Sequence, residues 1–89
     1  VKVHRLKCWS APFRAMQLGL KRFELRKNDR NYQVGDVLEL TEFDPETGDC
    51  FDWCVPVRVF VTYITPGGQF GLPEDMVVMS VAPLPQERP

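Results

Sequence analysis

The chain has 89 residues, 44% of them hydrophobic and 26% charged, with a formal net charge of −1. That is the length of one domain, too apolar for wholesale disorder, and it has no apolar run near the roughly 20 residues of a membrane-crossing helix. The first ten residues carry Lys2, Arg5 and Lys7 but no apolar stretch of the secretion-signal type, so a cytoplasmic chain is expected, and the missing initial Met suggests processing or trimming.

Residues 3–8 read as a first strand. Ser10 is placed to cap a helix over 10–19, with Trp9 packed at its start and Pro12 tolerated in its first turn. Phe13, Met16 and Leu20 recur on one stripe of that helix, and Gly19 suits its exit because glycine takes positive φ without steric cost. Residues 22–27 alternate, which predicts a half-buried strand with Phe23 and Leu25 on the apolar face and Arg22, Glu24 and Arg26 on the polar one. Residues 28–31 and Gly35-Asp36 are turn chemistry. Residues 37–43 alternate again and lead into a hairpin-type turn, Asp44-Pro45-Glu46-Thr47-Gly48. Residues 54–64 form the longest predicted strand, with Val55, Val57, Val59 and Val61 on one face. Residues 66–71 are a loop and 76–82 the last strand. The proline-rich stretch 83–89 reads as a flexible tail after a single domain, 1–82. The expected fold is α+β: a small open β-barrel of about five mostly antiparallel strands, with one short helix after the first strand plugging one side.

The near-zero net charge conceals an asymmetry. Residues 1–31 hold nine basic side chains against two acids, whereas residues 32–89 hold two against ten. If the fold keeps these halves on different faces, one face attracts anions. Cys8, Cys50 and Cys54 cannot all pair and read as free thiols of a reducing compartment. A zinc site using His4 and Cys8 is not expected, because four residues on a strand span roughly 13 Å. His4 reads as an ordinary strand histidine. No metal or other cofactor is expected.

The segment from Gly19 to Arg26 combines a helix exit, a lysine at the bend and a strand face showing Glu24 and Arg26. Residues i and i+2 on such a face lie about 6.5–7 Å apart, within reach of long side chains. Arg26 would orient Glu24 while Lys21 approaches from the helix end, making a cluster suited to a phosphate, a polar base edge or a carbonyl. The same residues also fit a surface ion pair worth about 0–1 kcal/mol. In the loop, Phe70 would either tuck into the core or stack on a base while Gln69 reads its edge.

The spacing Gly19-x-Lys21-x-x-Glu24-x-Arg26 resembles the signature of the activating-signal-cointegrator homology (ASCH) domains, relatives of the PUA RNA-binding fold. Leu6-Lys7 and Trp9 before it fit the same pattern, as do Arg30 and Val34-Gly35-Asp36-Val37-Leu38 after it. The blocks 63–65, 67–72 and 77–80 look like those of a small bacterial and phage branch. The resemblance covers about residues 3–82. It implies a PUA-like barrel with a cleft beside the helix that binds RNA or modified nucleosides, lined by Lys21, Glu24 and Arg26. One branch is similar to N4-acetylcytidine amidohydrolases, which use a lysine, a threonine and a glutamate. Lys21 fits the lysine and Glu74 lies in the region of the glutamate, but Glu24 stands where the threonine would be.

Three functional readings follow. The leading one is an RNA- or nucleotide-binding module, with DNA as an alternative ligand, using Lys7, Lys21, Glu24, Arg26, Arg30, Gln69 and Phe70. The second is a hydrolase acting on a modified nucleoside or RNA through Lys21, Glu24 and Glu74. The third is a protein-interaction or inhibitor domain that docks through its acidic half.

Overall fold

The computed structural model describes residues 1–48 and 55–84. Cys50, Trp53, Cys54 and most of the expected tail therefore lie outside the described residues. The elements are β1 (Val3–Trp9), α1 (Ser10–Gln17), β2 (Phe23–Lys27), β3 (Val37–Phe43), β4 (Val57–Pro66) and β5 (Met76–Pro83). The five strands form one sheet in the order β1-β3-β4-β5-β2. β1 and β3 run parallel, joined through α1 and β2, and the other three pairings are antiparallel. β1 and β2 are thus opposite edges of the sheet, yet the Arg26 side chain on β2 reaches the Lys7 carbonyl on β1. The sheet is curled into a half-barrel whose seam is bridged by side chains instead of a backbone ladder. No helix among the described residues is long and apolar enough to cross a membrane.

The core lies inside the curl. Leu6 and Cys8 of β1, Leu38 and Leu40 of β3, Val59 and Val61 of β4, and Val77, Met79 and Val81 of β5 alternate inward. Phe13 and Met16 of α1 close one side of this core, as their spacing predicts. Tyr32 enters from the loop after β2. A buried polar joint lies beside the core. His4 Nε2 donates to Asp36 Oδ2 at 2.8 Å, and the Lys2 and Gln33 main-chain N–H groups donate to the same carboxylate. Burial works against the charge of Asp36, but these hydrogen bonds outweigh it and hold its pKa below the ordinary aspartate value. His4 is therefore partnered, and the ring of Tyr32 lies against it with centroids 4.7 Å apart.

α1 ends in a Schellman motif. Gly19, at φ +77°, donates to Met16 O, and Leu20 donates to Ala15 O. This hook turns the chain so that Lys21 enters the seam between β1 and β2.

Several expectations are corrected. The largest concerns β2: Glu24 is 2% exposed, whereas Phe23 and Leu25 are 46% and 49% exposed. Pairing sets this parity. Glu24 sits opposite Met79 and Arg26 opposite Val77, two core residues of β5, so the charged pair shares their inward face. Trp9, not Ser10, occupies the N-cap of α1, and it makes no side-chain cap bond and is exposed. Leu20 lies beyond the helix and faces solvent. β4 begins after Pro56, which has no N–H to give a ladder, so Val55 is outside the strand and exposed. β4 also carries a bulge between Val61 and Tyr63 and runs on to Pro66. β5 extends to Pro83, opposite Val59, one residue into the expected tail.

Candidate functional site

The seam between β1 and β2 forms a groove of about 730 Å³, within the size range of ligand sites. Glu24 stands at its base. Lys21 Nζ donates to Glu24 Oε1 at 2.6 Å, and Arg26 Nε donates to Oε2 at 2.9 Å, so each carboxylate oxygen holds one cation. The Lys21 and Arg26 side chains keep about a fifth and a quarter of their surface exposed, against 3% for the Glu24 side chain. A ligand in the groove therefore meets the cations before the carboxylate.

Arg26 is also the strut of the seam. Its Nη2 donates to Lys7 O at 3.1 Å and to Cys8 Sγ at 3.2 Å. Burial disfavours its charge, but Glu24 more than compensates and pushes the guanidinium pKa further up. Cys8 moves up as well, because burial and the Glu24 charge outweigh the influence of Arg26 and Lys21. A thiol in that state is a poor nucleophile near neutrality. Further along, Arg30 Nη1 donates to Arg5 O at 3.3 Å.

The walls combine charge with aromatic surface. Among the described residues Arg5, Lys7, Lys21, Arg26 and Arg30 line the groove with Glu24 as the single acid, and Trp9, Phe23 and Phe43 supply rings. Lys21 Nζ lies 4.9 Å from the Phe23 ring centroid and Lys7 Nζ 5.9 Å from that of Phe43. Pairing with acids blurs part of this excess of positive charge: Arg5 of the groove shares Glu39 with Arg58, and away from the groove Arg14 reaches Glu42. A second hollow of about 830 Å³ lies between the end of α1 and the strands β4 and β5, with Lys21 bordering it too, but its described lining holds neither an acid nor an aromatic ring.

The predicted residues Lys7, Lys21, Glu24, Arg26 and Arg30 are thus brought together. Gln69, Phe70 and Glu74 are not among the residues lining the groove; they belong to the exposed β4–β5 loop. Phe70 does not tuck into the core: it is 92% exposed, at a φ of +54° that side chains other than glycine rarely adopt. Gly67 fixes that loop, because a Cβ there would lie 2.2 Å from Pro73 O and 2.6 Å from both Glu74 O and Met76 O. The sequence reading missed Arg5, Cys8, Trp9, Phe23 and Phe43 as groove residues. The alternation His4, Leu6, Cys8 on β1 is the signal that places Cys8 inside.

No curated protein matches the chain. Residues 3–81 match the model of a domain of unknown function (DUF3850), and with nearly the whole chain covered the protein belongs to that family.

Proposed function

We propose that this chain is a small RNA- or nucleotide-binding module of the ASCH and PUA-like kind, with DNA as an alternative ligand. The observation that carries the reading is the buried Glu24 carboxylate, clamped by Lys21 and Arg26, at the base of a groove with five cations and exposed aromatic rings. The excess of positive charge draws in phosphate. Trp9, Phe23 and Phe43 offer surfaces on which a base stacks, an interaction worth about 1–3 kcal/mol per base. Lys21 and Arg26 donate to base carbonyls or phosphate, and Glu24 fixes their direction or accepts from an exocyclic amino group.

A hydrolase is the second reading, favoured by the close approach of Lys21 Nζ to Glu24 Oε1. Two features weigh against it. Both oxygens of Glu24 are already engaged, and Glu74 is off the groove.

The test is an NMR titration of labelled protein with short RNA and DNA strands and with free cytidine and acetylcytidine at low salt. Shifts concentrated at Lys21, Glu24, Arg26 and Cys8 are expected. Their absence with every ligand would overturn the reading, and release of acetate from acetylcytidine, lost in Lys21→Ala, would replace it with the hydrolase.

A further inference from the structure

Arg26 and Arg30 each end on a main-chain carbonyl of β1, that of Lys7 and that of Arg5. Carbonyls two residues apart on a strand point the same way at a step of about 6.5–7 Å. The two guanidiniums therefore stand in file along the open edge of β1. Burial pushes the Tyr32 phenol pKa up, and the nearby Arg30 and Arg26 charges oppose this without overcoming it. A neutral carbonyl is a weak partner for a guanidinium, and an anionic oxygen makes a bond roughly twice as strong. The bonds to Lys7 O and Arg5 O are thus easily exchanged for bonds to an anion. Their step is comparable to the distance between successive phosphates of an extended single strand.

Resting on the nucleotide-binding reading above, we propose that Arg26 and Arg30 take consecutive phosphates of a single-stranded nucleic acid lying along the open edge of β1, making the ligand a polynucleotide chain instead of a free nucleoside. Arg30 makes no hydrogen bond or ion pair with Glu24 or Lys21, so it separates chain binding from binding at the base of the groove.

The test measures affinity for a short mixed-sequence single strand, as RNA and as DNA, between about 50 and 200 mM salt, alongside a nucleoside 5′-monophosphate. Each phosphate contact on a single strand contributes about −0.7 to the slope of log affinity against log salt. Arg30→Gln is expected to flatten the slope by about that amount on both strands and to weaken strand binding by a larger factor than monophosphate binding. Arg30→Lys is expected to keep the slope, which shows that charge and not folding is responsible. An unchanged slope in Arg30→Gln would overturn this inference while leaving the nucleotide-binding reading in place. Failure of the unaltered protein to bind either strand or monophosphate would overturn both.

Discussion

Glu24→Gln changes one oxygen to an amide NH2 and nothing in volume, and the geometry makes it costly. Each carboxylate oxygen accepts from a different cation, Lys21 at 2.6 Å and Arg26 at 2.9 Å. Glutamine has only one oxygen, so its NH2 must face one of two donors. One charge-assisted bond, worth about 1.5–3 kcal/mol, is lost outright, and the other is weakened by the loss of the negative charge. Lys21 and Arg26 retain 19% and 24% of their side-chain exposure, so both can turn toward water and recover part of the loss. The expected destabilisation is about 2 kcal/mol, below the roughly 3–5 kcal/mol that breaking a fully buried pair costs. For a domain of this size that lowers Tm by about 8–16 °C. A total stability of roughly 4–13 kcal/mol leaves the variant folded. The assay is thermal and urea unfolding followed by circular dichroism, repeated in a Lys21→Met background, where the same substitution should cost less because one donor is gone. A loss below about 0.5 kcal/mol, the value of an exposed ion pair, would refute the reasoning that this carboxylate is a dry structural hub.

Three further outcomes are expected. The Asp36 pKa is depressed in the folded protein, so its contribution to stability is complete above the ordinary aspartate value and disappears as pH falls through the lower native one. Urea midpoints measured against pH should show this acid decline reduced in Asp36→Asn, and an identical decline would refute the assignment. Gly67→Ala should cost about 1–3 kcal/mol in urea unfolding, because the new Cβ would meet three carbonyl oxygens of the chain. Phe70→Gly should raise stability by a few tenths of a kcal/mol, since glycine holds the φ of +54° without strain and Phe70 has almost no burial to lose; a loss of about 3 kcal/mol, as for a core phenylalanine, would show that the ring is buried.

The strands and the single helix were legible because alternation and turn residues are local. β3 over 37–43 and the positive φ of Gly19 were read directly from the residues present. The parity of β2 was not. Alternation separates Phe23 and Leu25 from Glu24 and Arg26 but does not say which pair faces inward; the register with β5 does, and that pairing joins distant parts of the chain. Seating a carboxylate inside is tolerable only because Lys21 arrives from the hook after α1, so the inward choice depends on three elements at once. The His4–Asp36 joint was illegible for the same reason, its partners standing 32 positions apart. Gly19, Lys21, Glu24 and Arg26 were found because their spacing is short, whereas the rings that line the groove with them come from β1, β2 and β3 together.

The pairing of β2 with β5 has a consequence for how the protein acquires its site. The segment carrying Lys21, Glu24 and Arg26 is made well before β5, the strand that holds it in place. Contacts of such long sequence separation form slowly, because the intervening chain must be ordered first. A nascent chain that has not yet released Met76–Pro83 has the charged motif without the wall that orients it. Ligand binding at the groove would then act as a check on completion: a molecule that recognises only the finished curl stabilises the closed fold by mass action and gives nothing to fragments that stop short of β5.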